Sequence, residues 1–180
     1  TRKGEFFMTI NKKAFLLLIL LMIILTPLSS SLAKGEPVYI NPFIDEYTVT
    51  SKDNLVIRHG WGACSEGLTY DYMKSLNDTF FLNGKELLKP NENSFDFWED
   101  PYHLPDTSGI DLCIWDVEYT WVSYWNYEIG KLKPGDYELI WHKDHNYKII
   151  DGFDLEGDGV PDVYGESRVL VTQIHVIDKK

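Results

Sequence analysis

Cysteine is nearly absent from this chain: Cys64 and Cys113 are the only two in 180 residues. A fold held together by many bridges is therefore excluded, and the lack of a Cys-x-x-Cys spacing argues against thiol redox work. Positive charge is scarce as well. Seventeen Lys and Arg stand against 28 Asp and Glu, a formal net charge of −11. With no basic patch, nucleic acid and anionic lipid are poor partners, whereas metal cations and neutral or cationic ligands suit such a surface. There is no His-Glu-x-x-His run, no nucleophile elbow and no phosphate loop. Internal repeats and low-complexity tracts are missing too.

The one long apolar run, Ala14 to Leu25, has twelve residues. A transmembrane helix needs about 20. Lys12 and Lys13 precede the run, Pro27 ends it, and Ser31-Leu32-Ala33 offers a small-x-small cleavage site. A positive start, a short apolar core and a small-residue exit are the three parts of a secretory signal. They predict a signal peptide over residues 1–33, with Met8 as its start and residues 1–7 upstream of it, and a protein that is secreted or held at the cell surface. An uncleaved anchor is the alternative. The leader carries Arg2, Lys3, Lys12 and Lys13 against Glu5, a net +3, so removing it takes the chain from −11 to −14. Residues 34–180 are then a single domain, long enough to bury a core.

In an oxidising compartment the simplest reading of Cys64 and Cys113 is one disulfide. Two buried thiols, or a nucleophile, are the other readings.

The mature chain reads as strands. Tyr47–Thr50 and Leu55–His59 are short β-prone runs. Thr79–Leu82 and Lys85–Leu88 flank Asn83-Gly84, which suits a type I′ hairpin turn. Leu112–Trp125, Tyr137–His142 and Arg168–Ile177 follow. Gly67–Leu76 alone has helical spacing, with Leu68, Tyr72 and Leu76 on one face. Leu132-x-Pro134-Gly135-x-Tyr137 resembles the tyrosine-corner entry of immunoglobulin-like and fibronectin type III-like sandwiches. That resemblance implies a tyrosine hydroxyl bonded back to nearby backbone. The expected class is all-β: an antiparallel immunoglobulin-like β-sandwich with one short helix.

The segment Asp154-Leu-Glu156-Gly-Asp158-Gly159-Val-Pro-Asp162 places oxygen donors at alternate positions around a glycine bend. A hard cation takes six to eight oxygens. The run resembles the calcium loops of EF-hands, dockerins and thrombospondin type 3 repeats. By that resemblance Asp154, Glu156 and Asp158 would supply side-chain oxygens, Val160 a carbonyl, and Asp162 a direct or water-mediated contact. Asp151 would add a donor from outside the motif. The twelfth position is Gly165 rather than a bidentate glutamate, and the flanks read as strands, so the likeness is to the loop alone. An empty acidic turn is the other reading.

Trp115, Tyr119, Trp121 and Trp125 fall at odd positions of the expected Leu112–Trp125 strand. On a solvent face they would stack on sugar rings; on the inner face they are core, which the polar residues between them favour. His59-Gly60-Trp61-Gly62 is either a ligand contact or a core plug with close backbone approach. His142 and His145 face opposite sides of a strand and share a metal only in a turn. The expected function is a non-catalytic calcium-binding β-sandwich that binds carbohydrate or a cell-surface protein. The alternative is a small secreted hydrolase, metal-assisted through His142, His145 or the acidic loop.

Overall fold

The computed structural model describes residues 36–105 and 109–178. Residues 1–33, expected to be a signal peptide, lie outside them. Two sheets pack face to face. One has four strands in the order β1 (Val38–Ile40), β3 (Leu55–Ala63), β7 (Trp121–Gly130) and β6 (Tyr102–His103). The other has five: β2 (Glu46–Thr50), β11 (Arg168–Ile177), β8 (Gly135–His145), β4 (Leu76–Leu82) and β5 (Lys85–Glu86). A two-stranded ribbon, β9 (Ile149–Ile150) with β10 (Val163–Tyr164), precedes β11. Among the described residues one α-helix, α1 (Glu66–Ser75), joins β3 to β4. The Ser65 side chain caps it by accepting from the Leu68 N–H at 3.2 Å.

The fold is a β-rich pair of packed sheets, as expected, but the sheets are mixed rather than antiparallel. β1 runs parallel to β3, and β2 parallel to β11. The cause is local. The chain leaves the first sheet after Ile40 and enters the second at Glu46, so neither short strand reaches its neighbour through a hairpin. The crossing is pinned where the Asn41 N–H donates to the Tyr47 hydroxyl at 2.8 Å.

Alternation along the strands builds the core. Ile40, Leu55, Ile57 and Trp125 come from one sheet; Val49, Phe80, Leu139, Trp141, Ile174 and Val176 come from the other. Phe80 and Trp125 stack across the gap at 4.6 Å. Each large apolar side chain so buried contributes about 1.5–3 kcal/mol. Asn83 and Gly84 have φ of 49° and 74°, the positive values the β4–β5 turn requires. The Tyr137 hydroxyl donates to the Lys133 carbonyl at 3.0 Å, the bond the tyrosine-corner resemblance implied.

One expected strand is not there. Residues 110–112 form a 3₁₀ turn, and the strand begins only at Trp121. Cys113 is bonded to Cys64, with Cα atoms 5.8 Å apart. The backbone around it pairs with the segment before the acidic loop instead. Ile114 N–H donates to Gly152 at 3.0 Å, and Asp154 N–H donates to Leu112 at 2.8 Å. β propensity in 112–120 is overridden because these groups already have partners. Gly152 is indispensable to this docking. Its φ is 85°, and a Cβ there would sit 2.6 Å from the Trp115 ring and 2.8 Å from the Cys64 Cβ.

Candidate functional site

In the acidic loop, Asp154 is the organising residue. Its carboxylate accepts from the backbone N–H groups of Gly157, Asp158 (3.0 Å) and Gly159 (2.8 Å). Gly157 and Gly159, at φ 76° and 81°, turn those groups toward it. Asp158 accepts from the Val160 N–H at 2.9 Å, and Asp162 from the Leu155 N–H at 3.2 Å. Glu156 belongs to the same turn, and the Val160 side chain is exposed. Asp151 lies beneath, buried, accepting from the Phe153 N–H at 2.9 Å and from the Tyr164 hydroxyl. Burial pushes its carboxyl up to about 6. The donors are hard oxygens of the kind calcium takes, but they are not gathered into a cage. Among the described residues no three His, Cys, Asp or Glu side chains come together to hold a metal. The loop is folded by its own carboxylates. Asp154→Ala is therefore expected to cost about 1 kcal/mol with or without calcium, since an exposed loop exchanges its lost bonds for water. Urea melts of wild type and variant, in calcium and in chelator, check this.

The three tryptophans do not share a face. Trp125 is fully buried between the sheets, and its indole N–H donates to the Ser94 carbonyl at 2.8 Å. Trp121 is half-buried at the start of β7. Trp115 is 46 % exposed but lies outside any strand, against Gly152. A platform of these three does not form, because the strand that would have aligned them starts at Trp121. His142 and His145 also stay apart. His142 lies outward against Phe81, whereas the His145 ring meets Ser75 Oγ at 2.9 Å and lies 5.5 Å from Tyr72. Burial pushes His145 down to about 4, so the neutral ring is the ordinary form. Trp61 is a core plug, stacked on Tyr72 at 3.8 Å.

Two arrangements emerge that no local stretch of sequence displays. The first is inside. His59 on β3 lies 3.8 Å from the Asp78 carboxylate on β4, and both side chains are fully buried. Asp78 accepts from the Trp141 indole N–H at 2.8 Å. Both His59 nitrogens, one Asp78 oxygen and the indole N–H groups of Trp61 and Trp98 have no hydrogen-bond partner. Lys143 lies within 5.8 Å of the Trp61, Tyr72 and Trp141 rings.

The second is on the outer face of the four-stranded sheet. Arg58 on β3 is sandwiched between Tyr39 on β1, at 4.8 Å, and Tyr124 on β7, at 4.0 Å. Tyr102 on β6 extends the row; Tyr124, Glu99 and Arg58 are its electrostatic neighbours. Tyr39 and Tyr102 are 45 % and 42 % exposed, large values for aromatic rings. Gly60 makes the row possible. A Cβ there would come within 2.7 Å of the Tyr124 ring, so only glycine lets that ring lie on the sheet. Glu99 borders the row, 3.7 Å from Arg58 and accepting from Asn126 at 2.7 Å. Aromatic planes flanked by an arginine, a carboxylate and a carboxamide can stack on a ring and hydrogen-bond its hydroxyls.

No known family model matches the chain, and neither a curated protein nor a solved structure matches it.

Proposed function

We propose that this is a non-catalytic binding domain, exported to the cell surface or beyond, that takes carbohydrate across the outer face of β1, β3, β7 and β6. The observation that carries the reading is the row Tyr39, Arg58, Tyr124 and Tyr102, which spans all four strands. Sugar rings stack on such planes, and the Glu99 and Asn126 side chains bordering it suit hydroxyl groups. The Cys64–Cys113 bond supports export, because such bonds persist in oxidising compartments. The parallel β2–β11 edge and the Tyr137 corner support an immunoglobulin-like kinship. Calcium has a secondary place in this reading. To use Asp154, Glu156, Asp158, Val160 and Asp162, an ion must compete with the backbone N–H groups that the Asp154, Asp158 and Asp162 carboxylates already hold, so its affinity falls at or beyond about 1 mM. Hydrolysis is the weaker reading, since the His59–Asp78 pair, displaced by burial, is sealed: neither side chain has any exposure.

Calorimetry with a panel of neutral oligosaccharides tests the proposal. Tyr124→Ala removes the ring at the centre of the row and is expected to weaken binding about tenfold, near 1.5 kcal/mol. Wild-type protein that binds no oligosaccharide, or a Tyr124→Ala variant that binds as well as wild type, would contradict it.

A further inference from the structure

Asp78 and Lys143 are direct partners across the antiparallel β4–β8 pair, and both point into the space between the sheets. Around them stand rings on every side: Trp141 bonded to Asp78, Tyr72 at 5.3 Å from the Lys143 ammonium, and Trp61 beyond. Here two full charges are poorly placed. Asp78 is buried and Lys143 partly so, and the two form no ion pair within 4.0 Å that would compensate for the water they lose. One solution is open to a lysine and an aspartate that cannot be ionised comfortably: to become neutral together.

We propose that Lys143 and Asp78 condense into an intramolecular amide that ties β8 to β4, with His59 as the proton relay. The amine nitrogen of Lys143 attacks the carboxyl carbon of Asp78. His59 takes a proton from that nitrogen and returns it to the departing hydroxyl. A C–N bond forms, a C–O bond breaks, and one water leaves; no oxidant, reductant or activated donor is required. The His59 ring is poised for this because it lies 3.8 Å from the carboxylate and neither of its nitrogens is otherwise engaged.

Three physical factors favour the step. The reactive forms are the neutral amine and the protonated acid. Burial pushes Lys143 down to about 8 and Asp78 up to about 7, so both forms are accessible near neutrality. Strand pairing holds the two groups at high effective concentration, which intermolecular condensation in water lacks. Burial at the Asp78 end limits the water that would hydrolyse the product. The amide also uses the polar inventory better than the ions do. Its oxygen keeps the Trp141 N–H, and its N–H gives the unpartnered His59 ring a donor. The other charged or titratable groups near this centre are Tyr72, His145, Asp144 and Arg168, and none is placed to replace His59 against the carboxylate.

Intact-mass spectrometry of the exported, oxidised protein decides the matter. The wild type is expected to be one water lighter than its disulfide-bonded sequence. Digestion should yield a branched peptide joining the strand that holds Asp78 to the one that holds Lys143. Lys143→Met and Asp78→Ala should each return to full sequence mass. His59→Phe keeps a buried ring and removes both nitrogens; its linked fraction should accumulate more slowly. An equal rate would overturn the relay assigned to His59. Wild-type protein at full mass, with Lys143 open to acylation after denaturation, would overturn the cross-link whether or not the variants fold.

Discussion

The Cys64→Ala, Cys113→Ala double variant is expected to lose about 4 kcal/mol, the loop-closure entropy restored to the unfolded chain when a bridge spanning about 50 residues is removed. The two cysteines are 49 positions apart. The loss should also be uneven across the molecule. Cys64 directly follows β3, and its N–H donates to the Asp151 carbonyl at 2.8 Å. Cys113 bridges to Phe153. The bond therefore fastens both the 109–120 segment and the root of the acidic loop to the first sheet. Hydrogen exchange should rise there first, while β8 and β11, which have long ladders of their own, stay protected. Denaturant unfolding measures the total and exchange its distribution. A change below about 1 kcal/mol would mean that packing alone holds these segments.

Trp141→Ala is expected to cost about 3–5 kcal/mol, among the largest effects of any single side chain. Trp141 is fully buried, with His59 at 4.4 Å, Phe80 at 5.4 Å and Phe43 at 5.3 Å. It also donates to Asp78, whose other carboxylate oxygen has no hydrogen-bond partner. Trp141→Phe separates the two contributions. Phenylalanine keeps most of the apolar contact and drops the N–H, so about 1–3 kcal/mol of the loss should survive in it. If Trp141→Phe matches wild type in urea melts, the indole–carboxylate bond contributes nothing and the polar interior is less demanding than its geometry says.

Elements governed by short-range rules were legible in the sequence. Arg168–Ile177 is a strand with the expected bounds, because period-two alternation and β-branched residues agree along its length. Asn83-Gly84 made its turn, Tyr137 its corner bond, and the two cysteines their bridge. The helix begins one residue earlier than expected and ends one earlier, since the Ser65 cap and the switch to β4 set its bounds. Leu112–Trp125 was misread because nothing local announces that Phe153 and Gly152 compete for its backbone. The parallel edges escaped for the same reason: direction depends on which sheet a segment joins.

The two polar arrangements were harder still. Tyr39, Arg58, Tyr124 and Tyr102 lie on four strands and meet only through sheet order, so no window of sequence contains them. The best available signal was Gly60, where the absent side chain marks a close approach that proves to be the Tyr124 ring. His59 carried a signal too. It continues the phase of Leu55 and Ile57, which places it on the inner face, where a histidine needs a partner. That partner, Asp78, comes from a strand whose neighbouring positions Leu76 and Phe80 are core.

An exposed apolar surface also lies on the opposite side of the molecule, where Val169 and Val171 are 60 % and 43 % exposed beside Ile140. The most direct test of the binding account is therefore an NMR titration of the domain spanning residues 34–180 with an oligosaccharide, following backbone amides. The account predicts shifts concentrated on Tyr39, Arg58, Gly60, Tyr124 and Tyr102, with the β8 and β11 amides unmoved. Shifts confined to the Val169 and Val171 face, or none at any concentration, would contradict it.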